Sequence, residues 1–228
     1  MLIEVIADTL SDALIAQEAG AGRIELVTGL AEGGLTPSYG VIERVCKELK
    51  IPVNVMIRPH SRGFCYSEEE IEIMIQDIIV CKKLGAAGAV FGVLTPDNHV
   101  HNGHIKQLID AAEGMDITFH RAFDEADDQF AALESLKQYP QISRILTSGG
   151  RRSAADAGER LKSLYDLTAD SHIKIMAGAG LSVENIKRFL DEVPVSEVHF
   201  GTGVRVNSSY EHAIDPERVR KVKKITGA

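Results

Sequence analysis

The sequence has few cysteines and no long apolar segment. Cys46, Cys65 and Cys81 are too few and too widely spaced for a disulfide framework or a C-x-x-C metal motif. No stretch approaches the roughly 20 apolar residues that cross a bilayer. The first residues, MLIEVIADTLSDAL, lack the basic start and the long apolar run of a signal peptide. We therefore expect reduced thiols, a cytoplasmic location and no membrane partner.

The chain also lacks an excess of positive charge. It has 25 Lys and Arg against 33 Asp and Glu, which gives a net charge of −8. This balance disfavours nucleic acid or an acidic membrane surface as a partner. A small molecule is the better candidate, and the sequence leaves a homo-oligomer open.

Short β-branched runs alternate with longer amphipathic stretches along the whole chain. The predicted strands are LIEVIA (2–7), RIELVT (23–28), VNVMIR (53–58), AGAVFG (87–92), DITFHR (116–121), RILTS (144–148), IKIMAG (173–178) and EVHFG (197–201). The predicted helices cover about 9–20, 38–49, 67–84, 103–113, 127–138, 153–169, 182–191 and 215–226. Residues 1–228 therefore form one predicted α/β domain, a (β/α)₈ barrel of the TIM type. A doubly wound open sheet is the alternative, but no G-x-G-x-x-G follows the first strand.

Polar and apolar side chains alternate along five of these strands. Since alternate residues of a barrel strand face the interior, the inward set is predicted to include Glu4, Glu25, Arg58, His120 and His199. Burying a lone ion costs several kcal/mol, so these groups should pair or contact a ligand. Arg58, His120 and His199 fall at the carboxyl ends of their strands, where barrel enzymes have their active sites.

Two of these residues are candidates for acid–base chemistry. Glu25 and His120 would exchange protons with a substrate, and Arg58 would hold its negative charge. His120 lies in FHRAFD, so Arg121 and Asp124 are expected in the same pocket.

A structural role for the same residues is the alternative. Glu4, Glu25 and Arg58 would then form an ion-pair network at the bottom of the barrel, with Glu4 as its first member. For His120 the corresponding alternative is an imidazole that caps a backbone carbonyl.

Three glycine-containing turns follow the last three strands: TSGG (147–150), AGAGLS (177–182) and GTG (201–203). Glycine lets backbone N–H groups approach a ligand closely, and barrels commonly bind phosphate at the ends of strands seven and eight. The turns therefore predict an anion site. Its candidate donors are Ser148, Gly149, Gly178, Gly180, Gly201 and Thr202.

Two other motifs are interpreted as surface features. HVHNGH (99–104) brings three histidines together in a loop, without an acidic or thiol neighbour in the sequence, so no metal site is predicted there. RVRKVKK (218–224) is interpreted as the solvated face of the last helix.

Five segments resemble the CutC copper homeostasis family. They are IELVTGLAEGGLTPSYG (24–40), VNVMIRPHSRGFCYSEEE (53–70), TFHRAFD (118–124), LTSGG (146–150) and IMAGAG (175–180). The resemblance implies a TIM-type barrel, a cytoplasmic location and a link to copper tolerance. It also implies, in some members, copper(I) held by cysteines on the first two strands, at positions that are Ile6 and Val27 here. His60 is a second departure, since the family more often has arginine after that proline.

Two functions therefore stay open. One is a copper homeostasis protein that binds or senses copper(I), for which Cys65 and Met176 are the nearest soft atoms; Ile6 and Val27 do not support it, because copper(I) selects sulfur. The other is a barrel enzyme that acts on a small anionic, phosphorylated metabolite. A barrel that acts only through protein partners explains the charged interior least well.

Overall fold

A computed structural model describes residues 1–228 as a closed barrel of eight parallel strands, in which each strand pairs with the next and β8 pairs with β1. The strands are β1 (Leu2–Ala7), β2 (Arg23–Leu26), β3 (Val53–Met56), β4 (Gly88–Phe91), β5 (Asp116–Phe119), β6 (Ile142–Thr147), β7 (Lys174–Ala177) and β8 (Glu197–Phe200). The helices are α1 (Leu10–Ala19), α2 (Tyr39–Glu48), α3 (Glu68–Lys83), α4 (Asn102–Ala111), α5 (Gln129–Leu136), α6 (Gly158–Asp166), α7 (Ile186–Glu192) and α8 (Pro216–Thr226). The predicted (β/α)₈ barrel is confirmed. None of these helices is both long enough and apolar enough to cross a membrane.

Two predicted helices begin four or five residues later than the sequence pattern indicated. The stretch predicted as 153–169 begins with a 3₁₀ turn, Ala154–Asp156, and the α-helix starts only at Gly158. The helix predicted from Ser182 starts at Ile186, because the side chain of Asn185 bonds to the Ser182 amide and closes a turn first. Both differences lie on the side of the barrel where the glycine turns follow the strands.

The start of α3 matches its sequence signal. The Ser67 hydroxyl accepts from the Glu70 amide, and the Glu70 carboxylate accepts from the Ser67 amide. This reciprocal pair satisfies two amides that the first turn of a helix leaves without partners. It ends the β3–α3 loop at a defined residue and so orients that loop over the barrel mouth.

Most of the apolar core lies between the strands and the helices, where the outward faces of the strands pack against the helix stripes. A separate small apolar cluster, formed by Val27, Met56 and Val90, lies on the inward faces. Ile6 and Leu30 pack against it. The inward side of β1 to β4 therefore carries an apolar wall beside the polar groups of the interior.

The amino-terminal end of the interior is filled by buried ion pairs. Arg23 donates to Glu4 and, at 2.7 Å, to Glu197. Arg144 donates to Glu197 at 2.8 Å and to Asp116 at 3.0 Å. Each carboxylate in this chain of contacts is shared or closely paired, which offsets the cost of burying it.

This network differs from the structural alternative that the sequence suggested. Only Glu4 of the predicted trio belongs to it. Glu25 has no hydrogen-bonded partner in it, and Arg58 donates instead to the backbone carbonyls of Glu32 and Gly34. The alternative was therefore wrong for Glu25 and Arg58, both of which lie nearer the carboxyl ends of their strands.

Gly88 gives a test of how tightly the interior is packed. A Cβ at this position would lie 2.5 Å from the Asp116 carbonyl oxygen and would also collide with the Asn54 side chain. We expect Gly88→Ala to lower the free energy of unfolding by about 1 to 3 kcal/mol, as overpacking does. Gly40→Ala is the control: in α2 nothing lies within 4 Å of the added Cβ, so stability should rise by up to about 1 kcal/mol. Urea denaturation of both variants measures the contrast, and equal effects would contradict it.

Candidate functional site

A cavity of about 530 Å³ opens at the carboxyl ends of the strands. Strand ends form its floor, and the loops after β2, β3, β5, β6, β7 and β8 form its rim. The sequence-predicted residues on its lining are Glu25, Arg58, His120, Arg121, Asp124, Gly180, His199, Gly201 and Thr202. The predicted residues that do not line it are Glu4, Ser148, Gly149 and Gly178.

Two buried carboxylates flank the imidazole of His199. Its Nδ1 lies 2.7 Å from Oε1 of Glu4, and its Nε2 lies 3.8 Å from Oε2 of Glu25. The second oxygen of Glu4 accepts from Arg23, so Glu4 anchors the ring. Glu25 lines the cavity, and its Oε1 has no partner in the protein. Of the two carboxylates, Glu25 is therefore the one that a ligand can reach.

The surroundings of Glu4 and Glu25 shift the pKa values of the two carboxyl groups in opposite directions. Burial raises the pKa of Glu25 to about 7, with Glu4 adding to the effect while His199 and Arg23 oppose it. Burial would also raise the pKa of Glu4, but Arg23 and His199 outweigh it and hold that pKa at about 2. Burial alone would lower the pKa of His199, yet the two carboxylates raise it. Glu4 thus stays ionised, and Glu25 can gain or lose a proton near neutral pH, as a general base needs.

His120 is held as a neutral hydrogen-bond donor. Its Nδ1 accepts from the Ala122 amide at 3.1 Å, so the ring proton is on Nε2, and Nε2 is buried without an acceptor. Burial, together with the charge of Arg58, lowers the pKa of His120 to about 3. At neutral pH the ring is therefore uncharged and offers Nε2–H as an unused donor, which suits hydrogen bonding to a ligand better than the proton exchange predicted from the sequence. The structural alternative for His120, an imidazole that caps a backbone carbonyl, is corrected too, because the ring caps the Ala122 amide instead.

Arg58 is fixed beside His120. Its Nη1 donates to the carbonyls of Glu32 at 2.9 Å and Gly34 at 3.2 Å. The Phe64 ring covers it, with the guanidinium carbon 4.7 Å from the ring centroid, and that ring lies 4.9 Å from the His120 ring. The Arg58 Nε is buried and has no acceptor in the protein. The β3–α3 loop thus orders a cation with one unused donor at the cavity.

The turn after β6 does not offer the donors that the sequence predicted. The Asp124 carboxylate enters it and accepts from the amides of Ser148 and Gly150, each at 3.1 Å. The Gly149 amide donates to the Thr147 hydroxyl at 2.9 Å. The prediction that Ser148 and Gly149 bind a ligand anion is corrected, because a side chain of the protein already fills this turn.

Two further predicted residues have supporting roles. The Gly178 amide donates to the Thr147 carbonyl at 3.0 Å, so it extends the pairing of β6 with β7 and is not free for a ligand. Arg121 lines the cavity, but its Nε donates to Asp124 at 2.8 Å. The anion-binding prediction is therefore corrected for Gly178, and Arg121 positions the carboxylate that closes the β6 turn.

The turns after β7 and β8 do present free donors to the cavity. On these two turns, the amides of the lining residues Ala179, Gly180, Leu181, Gly201, Thr202 and Gly203 have no acceptor in the protein. Ala179 has φ 70°, a left-handed conformation that is uncommon for residues other than glycine. Turned backbone amides of this kind form anion-binding concavities. The roles of Gly180, Gly201 and Thr202 in binding an anion stay a prediction that this geometry favours.

Tyr210 also lines the cavity, and the sequence reasoning missed it. Its hydroxyl lies so close to Gly201 that a Cβ there would collide with it. The loop that carries it is anchored by buried Arg205, which donates to Asp12 and to the His212 carbonyl, each at 2.8 Å. Arg205 also faces the Tyr210 ring at 5.4 Å. Because Tyr210 lies outside the strands and the glycine turns, no periodicity signal marks it.

A metal ion would find one set of oxygen and nitrogen ligands in the barrel. Ligand atoms of Glu4, Glu25 and His199 lie within 4.8 Å of one another. Glu4 already binds Arg23 and the Nδ1 of His199, which leaves Glu25 and the Nε2 of His199 as the available donors. Two donors fall short of the three or four protein ligands of typical zinc sites.

Sulfur ligands for copper(I) do not converge at the cavity. Met56 supplies the one sulfur on the lining. Cys65 is exposed outside the lining, and the sulfur of Met176 accepts from Arg23 at 3.2 Å inside the ion-pair network. Ile6 and Val27 form part of the apolar wall beside Met56. The chain therefore lacks a thiolate site where the resemblance implied one.

The histidine loop has a structural role. Nδ1 of His101 accepts from the His104 amide at the start of α4, and the two rings stack at 3.7 Å. His104 is buried, and its Nε2 lies 2.9 Å from a Glu68 oxygen. The acidic neighbour that the local sequence did not reveal comes from α3, and the contact joins α3 to α4.

Comparison with known proteins agrees with this architecture. Residues 1–204 match the profile of the CutC family. The chain belongs to the CutC family. The mouse copper homeostasis protein cutC homolog is 43% identical over 198 residues, 87% of this chain and 72% of that protein. Family protein CutC of Pasteurella multocida is 41% identical over 214 residues, 93% and 87% of the two chains. A crystal structure of CutC from Streptococcus agalactiae has a TM-score of 0.82 and 35% identity, covering 88% of this chain and 98% of that one.

The family match extends over the whole barrel sheet. Its range, 1–204, contains β1 to β8 and every cavity residue except Tyr210. The resemblance found from the signature segments is confirmed. Those segments supply Glu25, Arg58 and His120, so the CutC signature and the cavity coincide.

Proposed function

We propose that this CutC family member binds a small anionic, phosphorylated metabolite in the barrel cavity and acts on it by acid–base chemistry. One observation carries the proposal: three residues of the lining each have a buried polar atom with no partner in the protein, namely Oε1 of Glu25, Nε of Arg58 and Nε2 of His120. Buried polar groups are nearly always hydrogen-bonded. A ligand with complementary donors and acceptors, or ordered water in its place, would satisfy all three.

The anionic part of the ligand belongs at the β7 and β8 turns. The amides of Gly180, Thr202 and Gly203 are free, and glycine-rich barrel loops at these strands commonly hold phosphate. Arg151 lines the same side of the cavity and adds positive charge. In contrast, the β6 turn is closed by the Asp124 carboxylate, which would repel a second anion.

Glu25 is the proposed acid–base residue. Its carboxyl group has a pKa raised to about 7 by burial, close to the pH at which a general base works best. Its partner His199 is oriented by ionised Glu4.

We propose the cytoplasm as the location of this activity; the free thiols of the chain support a reducing compartment.

Thr202 allows a direct test of the anion site. It lines the cavity beside free amides, so Thr202→Glu should place a carboxylate against a bound phosphate. We expect the affinity for inorganic phosphate, measured by isothermal titration calorimetry, to fall by about tenfold or more. Thr202→Gln is the control of matched size and should bind nearly as the parent does. Undetectable phosphate binding by the parent, or equal loss in both variants, would reject the site.

Copper is the second function to test, because mammalian relatives carry copper homeostasis in their names. The residues present do not fit a copper(I) site: no cysteine lines the cavity, and copper(I) selects soft sulfur ligands. We expect the reduced protein to hold copper(I) against a competing chelator no better than its urea-unfolded form does. A clearly higher affinity of the folded protein would contradict this. A cellular effect on copper tolerance does not require a metal site in the barrel.

A further inference from the structure

A substrate must complement three unpartnered atoms: the donors His120 Nε2 and Arg58 Nε, and the acceptor Glu25 Oε1. His120 is 3% exposed and cannot accept through Nδ1, which the Ala122 amide occupies. A Cβ at Gly92 would lie 2.7 Å from this nitrogen, so the ring is tightly packed. Nε2 therefore presents a fixed N–H, whatever ligand enters.

Arg58 presents a second fixed N–H beside it. Two backbone carbonyls, those of Glu32 and Gly34, hold its Nη1, and the Phe64 ring covers it. Its buried Nε has no acceptor in the protein, and Arg58 lines the cavity. One cationic and one neutral donor together suit an oxygen that becomes negative during a reaction.

Glu25 offers the opposite chemistry on the same lining. Its buried Oε1 has no donor, so it can accept a proton from a ligand. The lining contains no lysine, cysteine or serine, and a Schiff base or a thiol or serine ester intermediate therefore has no residue to form on. An acceptor and two donors on one lining suit proton transfer next to an oxygen that gains charge.

We infer that the substrate is a phosphorylated carbonyl compound with a hydrogen on the carbon next to the carbonyl, and that the cavity enolises it. This inference rests on the proposed anion site. Glu25 takes the proton as the C–H bond breaks; that electron pair forms the C=C bond, and the carbonyl π pair moves to the oxygen. His120 Nε2–H and Arg58 Nε–H hold this oxyanion. Where the first carbon carries a hydroxyl group, the hydroxyl proton passes to the oxyanion, the O–H electron pair forms a carbonyl at that carbon, and Glu25 returns its proton to the former carbonyl carbon. This isomerisation needs no oxidant and no reductant.

The protonation states support these roles. Burial lowers the pKa of His120 to about 3, so the ring stays neutral and acts as a donor without competing for the proton. Burial raises the pKa of Glu25 to about 7, so its carboxyl group both accepts and returns a proton at neutral pH. Groups whose environments move their pKa values apart in this way commonly divide acid and base roles.

Solvent exchange tests the inference. The protein is incubated in D₂O with a panel of three- to six-carbon aldose and ketose phosphates, and deuterium uptake next to the carbonyl is followed by proton NMR. We expect protein-dependent uptake of one deuterium in at least one compound. Glu25→Gln should slow it by about 10³-fold.

Two variants of His120 separate the hydrogen-bond donor from a structural role. His120→Gln can keep an N–H towards the cavity, and His120→Asn can keep an acceptor for the Ala122 amide but loses that donor. We expect His120→Asn to slow exchange by about 10²-fold and His120→Gln to retain more of the rate. Equal rates in the two variants would overturn the donor role.

The same panel of sugar phosphates distinguishes failure of the anion site from failure of the enolisation step. Sugar phosphates that bind in calorimetry, compete with phosphate and take up no deuterium beyond the Glu25→Gln level would overturn enolisation and leave the anion site standing. If none of them binds, the anion site fails and the inference fails with it.

Discussion

Arg23→Met is expected to lower the free energy of unfolding by about 3 to 5 kcal/mol. Arg23 bridges the carboxylates of Glu4 and Glu197, and all three side chains are nearly fully buried. Without the guanidinium, Glu4 keeps only His199 as a partner, and an uncompensated charge stays in the barrel. Urea denaturation at pH 7 measures the loss.

Two variants make this result specific. Arg220→Met breaks an exposed ion pair with Glu217 and should change stability by no more than about 0.5 kcal/mol. Adding Glu4→Gln to Arg23→Met removes one stranded charge and should recover part of the loss. A loss below about 1 kcal/mol in Arg23→Met would show that the network contributes little.

Glu25→Gln is expected to gain stability relative to the parent as the pH rises. The pKa of Glu25 is raised from 4.5 to about 7 in the folded chain, so between these values the folded state holds a proton that the unfolded state has released. The contribution of Glu25 to parent stability therefore falls with rising pH by about 1.4 kcal/mol per unit, to a total of about 3 kcal/mol above pH 7. Glutamine has no such titration. Unfolding free energies of both proteins from pH 4.5 to 8 measure the growing difference.

The control for this prediction lies on the same cavity wall. Glu32 is exposed, so Glu32→Gln should follow the parent across the pH range. Because the charge of Glu25 also raises the pKa of His199, the difference curve belongs to the coupled pair. A Glu25→Gln advantage that does not change with pH would contradict the buried, proton-holding carboxyl group.

The fold was predictable because local and tertiary preferences agree in this chain. β-branched strands and capped helices alternate along it, and the Ser67 and Glu70 capping box marks one helix start in the sequence itself. The prediction failed where a side-chain hydrogen bond decides the local structure. Asn185 delays α7 by closing a turn, an effect that periodicity does not encode.

The inward charges were predictable for the same reason, but their partners were only partly so. Period-two alternation identified Glu25 and His199. The same parity extends two residues back to Arg23 and Glu197, at the first position of each strand, where the prediction did not follow it. With these partners included, Glu4 is structural and Glu25 is the carboxylate left for a ligand.

The donors of the site depend on contacts that sequence spacing cannot show. Asp124 fills the β6 turn from 24 residues away, so Ser148 looked available when it is not. The Ala122 amide sets the tautomer of His120 and makes it a donor. Tyr210 reaches the cavity from a loop that Arg205 helps to anchor through Asp12 and the His212 carbonyl.

We propose that the barrel cavity binds a phosphorylated ligand between the β7 and β8 turns and the donors of Arg58 and His120. A crystal structure of the protein soaked in inorganic phosphate tests this proposal. We expect phosphate on the free amides near Gly180 and Thr202, with the β6 turn still closed by Asp124. A cavity without phosphate at a saturating concentration, or phosphate bound only at the outer surface, would contradict it.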